Sequence, residues 1–377
     1  MTQTAVAPRR RRVRERTFAC GPTQSSSVVR ILDGLREQFA AAGYRDVGEP
    51  GPEVQIVLHP VDLAAPVAYR RKAAPTFVVA LAEVHDAPVD VLRVGYPLLV
   101  RALANLAVLV GHRRIDFVTL EQGTYTVEHT GDDGSFFAAV FERLEPLASS
   151  RLVIDNRFES DLPSDLAQGD EQTRAIGRAG AHLASLNLLP AAFPIEEILS
   201  ERDLRHVQLL FGIGGLSYGN ASARRRGAAQ SAIGPEFWMS ASGVDKSAMR
   251  TIGTEILLVR GYDAEHDEMV LSVPAGVRPR RVSVDAIEHW TIYREHPDVG
   301  AILHVHAWME GIESTAVNYP CGTLELATAV SDLVRRAPDP VHAVVGQRNH
   351  GLTITGDSLD EILARVDGKL VRRVPMS

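Results

Sequence analysis

The chain is poor in cysteine and in aromatic residues, and it has no long apolar segment. Cys20 and Cys321 are its two cysteines among 377 residues, too few for a disulfide framework, which predicts a reducing cytoplasm. No uninterrupted apolar run comes near the roughly twenty residues of a membrane-spanning helix, so no membrane contact is expected. The formal net charge of -7 disfavours a nucleic-acid-binding surface. These absences favour a cytoplasmic protein without a membrane or nucleic-acid partner.

Length and composition favour two domains preceded by a basic tail. A chain of 377 residues exceeds a typical single domain, and 45% hydrophobic with 23% charged residues is typical of a globular protein. The run RRRRVRER at residues 9–16 carries like charges that repel one another, and no apolar stretch follows it as in a signal peptide. Residues 1–20 are therefore predicted to be a disordered basic tail.

Residues 21–157 are predicted to form an α/β domain, because short apolar runs alternate with helical patterns. A first helix is predicted from the apolar spacing of Val28, Ile31, Leu32, Leu35 and Phe39, and a long apolar helix from residues 90–112. This domain has neither a GxGxxG nor a Walker motif, so nothing in it indicates nucleotide binding. Strands are predicted at VQIVLHPV (54–61), TFVVALAEV (76–84), DFVTLEQ (116–122) and RLVIDN (151–156).

A polar, acidic stretch separates this domain from the rest of the chain. Residues 158–173 contain Pro163 and Gly169, a composition typical of a linker, and a helix is predicted over residues 174–189. Residues 158–193 are thus predicted to be a linker with one helix. A second compact domain is predicted over residues 194–377.

Two histidines stand two residues apart in the apolar run AILHVHAW, residues 301–308. Alternation along a strand puts His304 and His306 on one face, roughly 7 Å apart at about 3.3 Å per residue, where both rings can reach one cation. Two hydrogen-bonded core histidines are the alternative. His350, in the turn-like sequence RNHG, supplies a third candidate ligand. Three imidazoles with an open fourth position are typical of a catalytic metal site.

A carboxylate is expected near such a metal if the site moves protons. The stretch RVSVDAIEHW, residues 281–290, offers Asp285 and Glu288. Asp285 is predicted at the N-terminus of a helix, where the helix dipole favours a negative charge. Glu288 is predicted to be a solvated charge on the same helix.

Two further stretches resemble anion-binding backbone. YGNASAR (218–224) is predicted to be a tight turn, and MSASGVDKSAM (239–249) places Ser242 and Gly243 just before a predicted helix near Asp245. Backbone N–H groups at the N-terminus of a helix bind phosphate or carboxylate, although the same residues also form ordinary helix caps.

Taken in order, GNASAR, SASG, SVD, EHPDVGAILHVHA and NHG resemble the motif series of the class II aldolase/adducin family. The resemblance covers about residues 194–377 and implies an α/β/α domain with a mainly antiparallel central sheet, assembled as a homotetramer. It implies a divalent metal, most often Zn2+ with Fe2+ or Mn2+ as alternatives, on His304, His306 and His350, and an acid/base role for Asp285. The residues that fall where the family's sugar-phosphate enzymes hold phosphate are Asn220, Ser242, Gly243 and Ser283.

Two of the departures from the family pattern concern the groups that would hold phosphate and move protons. Val284 replaces a serine that helps to hold phosphate in the aldolases. Only about a dozen residues separate His306 from NYPCGTLELA, so the segment that carries a tyrosine proton donor in the aldolases is missing.

Three functions remain open at this point. The first is a metal-dependent aldolase- or epimerase-like lyase that acts on a small, sugar-phosphate-like hydroxy-carbonyl compound through an enediolate. The second uses the same metal site for decarboxylation, dehydration or iron-dependent oxidation of a carboxylate substrate. The third is an adducin-like binding protein without catalysis, which the retention of all three histidines and the carboxylate disfavours.

Overall fold

The computed structural model describes residues 15–73, 76–84, 90–120, 123–190, 195–211, 217–225 and 233–376. Residues 1–14, most of the predicted basic tail, lie outside this part. The end of that tail is not disordered, because Thr17–Cys20 forms a strand between two neighbours of the first sheet. No helix of the described residues is long and apolar enough to cross a membrane.

The N-terminal half of the described chain is built on a seven-stranded sheet in the order β2-β1-β3-β4-β5-β6-β7. The strands from β2 to β5 are parallel, and β6 and β7 extend the sheet in antiparallel fashion. The strands are β1 (Thr17–Cys20), β2 (Arg45–Asp46), β3 (Ile56–Pro60), β4 (Phe77–Glu83), β5 (Leu106–Val110), β6 (Arg114–Thr119) and β7 (Gly123–Glu128).

Three helices cover this sheet: α1 (Ser26–Ala41), α2 (Val91–Arg101) and α3 (Asp133–Ser149). The five apolar residues that predicted α1 are all buried in one core with residues of α3. The prediction of one long helix over residues 90–112 is wrong. The helix ends at Arg101, Leu103 turns the chain with a positive φ, and the apolar run LAVLV becomes the buried strand β5.

The second half contains an eight-stranded sheet, counted over the described residues, in the order β14-β15-β13-β9-β10-β11-β12-β8. All its pairs are antiparallel except β12 with β8. The predicted α/β fold with a mainly antiparallel second sheet is therefore confirmed. The strands are β8 (Asp155–Glu159), β9 (Asn220–Arg224), β10 (Phe237–Ser240), β11 (Ile256–Asp263), β12 (Glu268–Ser272), β13 (Ala301–Val305), β14 (Val344–Gln347) and β15 (Gly351–Gly356).

Helices lie on both faces of this sheet. The Ser222 side chain of β9 contacts α7, and alternation turns its neighbours Ala221 and Ala223 to the opposite face, where α4 packs on β9. α9 packs with α4, and α8 packs with α7. The helices are α4 (Glu171–Ser185), α5 (Ile195–Ile198), α6 (Glu201–Phe211), α7 (Ala286–Glu295), α8 (Leu324–Arg336) and α9 (Leu359–Val366).

The segment before residue 194 differs from its prediction. RLVIDN was expected to be a strand of the first domain, but β8 begins at Asp155 and pairs with β12 of the second sheet. The predicted helix is present as α4, yet the expected linker is packed structure. Six of its apolar residues are buried in the core of the second half, namely Leu162, Leu166, Ile176, Leu183, Leu188 and Leu189.

The two halves also share a core. Ile195, Leu199 and Val207, around α5 and α6, are buried with residues of α2 from the first sheet. Arg101 at the end of α2 forms an ion pair of 2.7 Å with the buried Asp203 of α6. Contacts of this kind join the halves through buried surface as well as through the chain.

Candidate metal centre

Strand β13 carries the two histidines of the sequence pattern on one face. It lies inside the sheet, between β15 and β9, so both its edges are hydrogen-bonded. His304 is fully buried and pairs with Asn220 of β9 on one side and Thr353 of β15 on the other. The rings of His304 and His306 are 5.1 Å apart between centroids, which confirms that the two rings lie together.

His350 reaches the same place from the turn between β14 and β15. Asn349 takes a positive φ of 59° in this turn, and Gly351 approaches the Val305 carbonyl oxygen so closely that a Cβ would overlap it. The ring of His350 lies 5.0 Å from that of His304 and 4.5 Å from that of His306. The nitrogens of the three histidines that can act as ligands all lie within 4.8 Å of one another.

The ring nitrogens fit a metal-binding role. Nδ1 of His304 lies 3.1 Å from the Leu352 carbonyl oxygen, to which it can only donate, so Nε2 of His304 carries the lone pair. That Nε2 is buried and has no hydrogen-bond partner among the described residues. A buried acceptor without a partner is costly, and a cation on this atom would remove the cost.

Burial keeps the three imidazoles neutral. It lowers the pKa of His304, although the nearby Asp285 carboxylate opposes the shift. It lowers the pKa of His306 and of His350 still further, and the neighbouring histidines add to the effect. Neutral imidazole is the form that binds a metal, so the cluster is prepared for a cation at neutral pH.

Asp285 lies at the N-cap of α7, as predicted, but its side chain caps nothing. Its Oδ2 accepts a hydrogen bond of 2.7 Å from Nδ2 of Asn220. Its Oδ1 is buried and has no partner in the part of the chain that the structure describes. The carboxylate is thus held by one oxygen near His304, with the other oxygen available to a ligand.

Glu288 is not the solvated charge that the sequence predicted. Its side chain is 1% exposed and accepts hydrogen bonds from Thr353 Oγ1 at 2.6 Å and from Gln347 Nε2 at 2.9 Å. Burial, and then the charge of Asp285, raise the pKa of Glu288 well above its usual value. α7 is covered on nearly all sides, so helical spacing does not reveal which polar residue faces solvent.

Lys246 is a buried cation that the sequence analysis missed. It is 5% exposed, and its Nζ donates to the Ser217 carbonyl oxygen at 2.5 Å. Burial lowers its pKa to about 8, while the charges of Asp285 and Asp245 act in the opposite direction. The same ammonium lowers the pKa of His304 and of His306. No local pattern marks this lysine, because it lies in a single 3₁₀ turn, Lys246–Ala248.

The predicted anion-binding residues are only partly brought together. Asn220 is on the buried strand β9, so the prediction of a tight turn there is wrong. The helix predicted near Asp245 is the 3₁₀ turn that holds Lys246, and Gly243 precedes it with a φ of 69°. The backbone N–H groups of Ser242 and Ser283 donate to the carbonyl oxygens of Arg281 and Ser240, so these two N–H groups are already bonded within the protein.

Two more residues lie beside the histidines without any signal in the sequence pattern. The ring of Tyr218 is 5.3 Å from that of His306, between centroids. The sulfur of Cys321 is 3.0 Å from Nδ1 of His350. The missing signal has a simple cause, since both residues come from loops that only the tertiary fold brings to β13.

Comparison with known proteins gives one family match. Residues 205–367 match the family model described as Class II Aldolase and Adducin N-terminal domain. No curated protein sequence matches the chain.

Several solved structures are similar at low sequence identity. L-fuculose 1-phosphate aldolase is 16% identical with a TM-score of 0.35, over 53% of this chain and 81% of that one. YgbL of Klebsiella pneumoniae, assigned as an aldolase/epimerase/decarboxylase, is 15% identical with a TM-score of 0.34, over 52% and 84%. An aldolase II superfamily protein from Pseudomonas syringae is 16% identical with a TM-score of 0.33, over 52% and 70%.

Proposed function

Since residues 205–367 match the model of the class II aldolase/adducin family, we propose that this chain is a metal-dependent enzyme of aldolase or epimerase type. Its substrate would be a small hydroxy-carbonyl compound that resembles a sugar phosphate. The proposal is supported by the cluster of three buried, neutral histidines. Near it lies the Asp285 carboxylate, of which one oxygen accepts a hydrogen bond and the other has no partner among the described residues. A binding protein of the adducin kind has no use for such a cluster, which makes non-catalytic function the weakest of the three alternatives.

The three histidines would hold a divalent cation, with Zn2+ favoured over Fe2+ or Mn2+ because all three ligands are imidazoles. Such an ion polarises a carbonyl oxygen and stabilises the negative charge that develops on a substrate oxygen. Asp285 would take up or return the proton at the carbon beside the carbonyl, through its unbonded Oδ1. Asn220 would keep that carboxylate in place through its hydrogen bond of 2.7 Å to Oδ2.

An anionic part of the substrate would be held on the side of Lys246. The buried ammonium of this lysine attracts a negative group. Ser242 and Gly243, which precede the turn of Lys246 in the chain, would add polar contacts together with Ser283 and Asn220. This set contains one cation, and its serine N–H groups are already bonded. This set of residues therefore suits a group with a single negative charge better than a phosphate that needs donors on all sides.

The limited anion site favours one second candidate. The same metal centre would then decarboxylate, dehydrate or, with iron, oxidise a carboxylate substrate whose carboxylate pairs with Lys246. Val284, in place of a phosphate-holding serine, agrees with this alternative. We further propose that the protein is cytoplasmic and assembles as a homo-oligomer, a tetramer by analogy with the family.

Metal analysis of the purified protein tests the site. Wild type and a His342→Ala control should carry a stoichiometric divalent cation, because His342 is only half-buried and pairs with Asp339 and Asp357 rather than with the cluster. The His304→Ala/His306→Ala variant should carry almost none. Equal and negligible metal in all three proteins would contradict the proposal.

A further inference from the structure

Among the described residues, the ring of His306 has no hydrogen bond to a group outside the histidine cluster. Its Nδ1 is buried and has no partner there, and its Nε2 lies 2.9 Å from Nε2 of His350. His304 differs, because its Nδ1 donates to the Leu352 carbonyl oxygen. A histidine that binds a metal usually has such a bond on its second nitrogen, and the bond fixes the plane of the ring. Packing must therefore set the orientation of the His306 ring.

Tyr218 makes the aromatic contact that His306 has outside the cluster. In the part of the chain that the structure describes, the His306 ring has three aromatic neighbours, and two of them are the fellow histidines His304 and His350. The third is Tyr218, with 5.3 Å between the ring centroids and 48° between the ring planes. Aromatic rings attract one another at centroid separations of about 4.5–7 Å. Tyr218 therefore lies where it can hold the ring of a metal ligand.

The main chain on both sides of Tyr218 is fixed by other parts of the site. Before it, the Ser217 carbonyl oxygen accepts from Nζ of Lys246 at 2.5 Å, and the Ser217 hydroxyl accepts from the backbone N of Lys246 at 2.9 Å. After it, Gly219 has a φ of 71° and lies so close to the His304 carbonyl oxygen that a Cβ would overlap it. The backbone thus fixes the point from which the Tyr218 ring reaches His306.

Tyr218 also packs on the core that joins the two halves of the chain. That core contains Leu99 of α2, from the N-terminal half, together with Leu199 and Val207 around α6. Tyr218 is half-buried and is one of the residues packed against it. One side chain thus contacts both a metal ligand and a core to which the N-terminal half contributes. Packed side chains transmit displacements, so a change in this core can reach His306.

We propose that Tyr218 is a positioning residue of His306, and that the N-terminal half of the chain acts on the metal centre through it. The inference rests on the proposed function for the metal itself and gives the N-terminal half a part in it. The ring of Tyr218 restricts rotation of the His306 side chain, so that Nε2 stays directed at the cation. The N-terminal half then contributes to tight metal binding, although it holds none of the three ligands.

Cobalt(II) is the probe, because its visible absorption depends on coordination geometry and a competing chelator measures its affinity. In the full-length Tyr218→Ala protein we expect cobalt to bind about tenfold more weakly than in wild type or weaker still, since loss of a group that orients a metal ligand has effects of this size. The absorption bands should also shift, because His306 no longer keeps one orientation. Tyr218→Phe keeps the ring and should retain the wild-type affinity and spectrum. Should Tyr218→Ala not fold, Tyr218→Leu takes its place, because leucine keeps apolar contact with the core without a flat ring.

Two core variants separate this effect from a general loss of stability. Leu99→Ala removes a fully buried side chain from the core that Tyr218 packs on, and Leu35→Ala removes one of the same size from the core between α1 and α3. Both should lower the melting temperature of the metal-free protein. Only Leu99→Ala should weaken cobalt binding, by on the order of two- to thirtyfold.

Equal cobalt affinity and equal spectra for wild type and Tyr218→Ala would overturn the positioning role and leave the histidine site intact. A loss in Tyr218→Phe as large as in Tyr218→Ala would assign the effect to the hydroxyl group and overturn the packing argument. Equal affinity for Leu99→Ala and Leu35→Ala would overturn the part of the N-terminal half. Absence of cobalt binding in every protein, wild type included, would overturn the histidine site and this proposal together.

Discussion

Asp285 and Glu288 are neighbouring acids on α7 that the fold places in different surroundings. Asp285 keeps one oxygen without a partner near His304, whereas both oxygens of Glu288 accept hydrogen bonds. Burial raises the pKa of Glu288, which favours its protonated form. The fold therefore leaves Asp285 with a more available oxygen than Glu288 has.

The Asp285→Asn variant should lose turnover while keeping its metal. Asparagine keeps the shape of the side chain and an oxygen that can accept the hydrogen bond from Asn220, but it cannot accept a proton. General acid–base groups contribute about 10²–10⁴-fold to rate. The measurement is exchange of solvent deuterium into a hydroxy-carbonyl substrate, together with metal content and melting temperature. Near-normal exchange with full metal would remove Asp285 from the acid/base role, and lost metal would make it a ligand instead.

Glu288→Gln is the matched control for that variant. Because the pKa of Glu288 is raised, glutamine replaces a carboxyl group that is already favoured in its neutral form. We expect metal content close to that of wild type and a much smaller loss of exchange than in Asp285→Asn. A loss as large as that of Asp285→Asn would show that Glu288 moves the proton.

Lys246 should make stability rise with pH in the alkaline range. Its pKa is lowered from 10.5 to about 8, so between these values the unfolded chain binds a proton that the folded protein has released. The free energy of unfolding of metal-free wild type should therefore increase with pH, relative to Lys246→Met, by on the order of 1 kcal/mol per pH unit. Urea unfolding below and above pH 8 checks this, and parallel pH profiles of the two proteins would contradict it.

The residues that the sequence could identify are those with a local pattern. Alternation in a strand placed His304 and His306 on one face, and a glycine after His350 marked its turn. Glu288 and Lys246 could not be assigned correctly, because their burial depends on segments far away in the chain. Charged residues are rarely buried in proteins, so the sequence alone predicts that such a side chain is exposed to solvent.

At the scale of elements, a strong periodicity of apolar residues was enough to predict that a strand or a helix is present. It was not enough to predict where the element ends. α1 follows its pattern, since one face is apolar and the other polar. Residues 90–112 are apolar throughout, and such a run is compatible with a buried helix and with a buried parallel strand. The chain uses both, with α2 and β5 separated by the turn at Leu103.

Close packing of α4 on the turn that carries Lys246 should make Gly180 intolerant of substitution. A Cβ at Gly180 would overlap the Lys246 carbonyl oxygen, which belongs to the backbone and cannot move aside. Gly180→Ala should destabilise the protein by about 1–3 kcal/mol, although alanine is the better helix former. Thermal unfolding measures the effect.

Gly134 of α3 provides the control for that substitution. Its nearest neighbour to an added Cβ is the Asp132 side chain at 3.6 Å, which is ordinary contact. Gly134→Ala should leave stability unchanged or raise it by about 0.5–1 kcal/mol. Equal changes in stability for Gly134→Ala and Gly180→Ala would mean that the contact between α4 and the 3₁₀ turn does not limit the size of the side chain at residue 180.

At the scale of the whole molecule, the described residues form two sheets, and the predicted linker packs with the second of them. A polar segment with proline and glycine has the composition of a linker, yet residues 151–190 supply β8 and α4 to the second half. Composition reports how much of a segment is apolar, whereas a packed segment needs only a few apolar residues in the right places. Leu162, Leu166 and Ile176 are sufficient here.

The assembly of the chain is the prediction that rests on the family alone. We expect a homotetramer, because the family builds its sites between subunits, and sedimentation at micromolar concentration measures it. A monomer would contradict the prediction. It would also mean that the N-terminal half occupies surface that a neighbouring subunit covers elsewhere in the family.

The packing of α6 on α2 has a consequence for any attempt to divide the protein. The segment that matches the family begins within α6, at residue 205, but Val207 and Asp203 of this helix are buried against the N-terminal half. A fragment that starts at residue 194 would expose that apolar surface and separate Asp203 from Arg101. We expect such a fragment to be more susceptible to proteases and to aggregation than the full chain, because surface that the other half covers would face solvent.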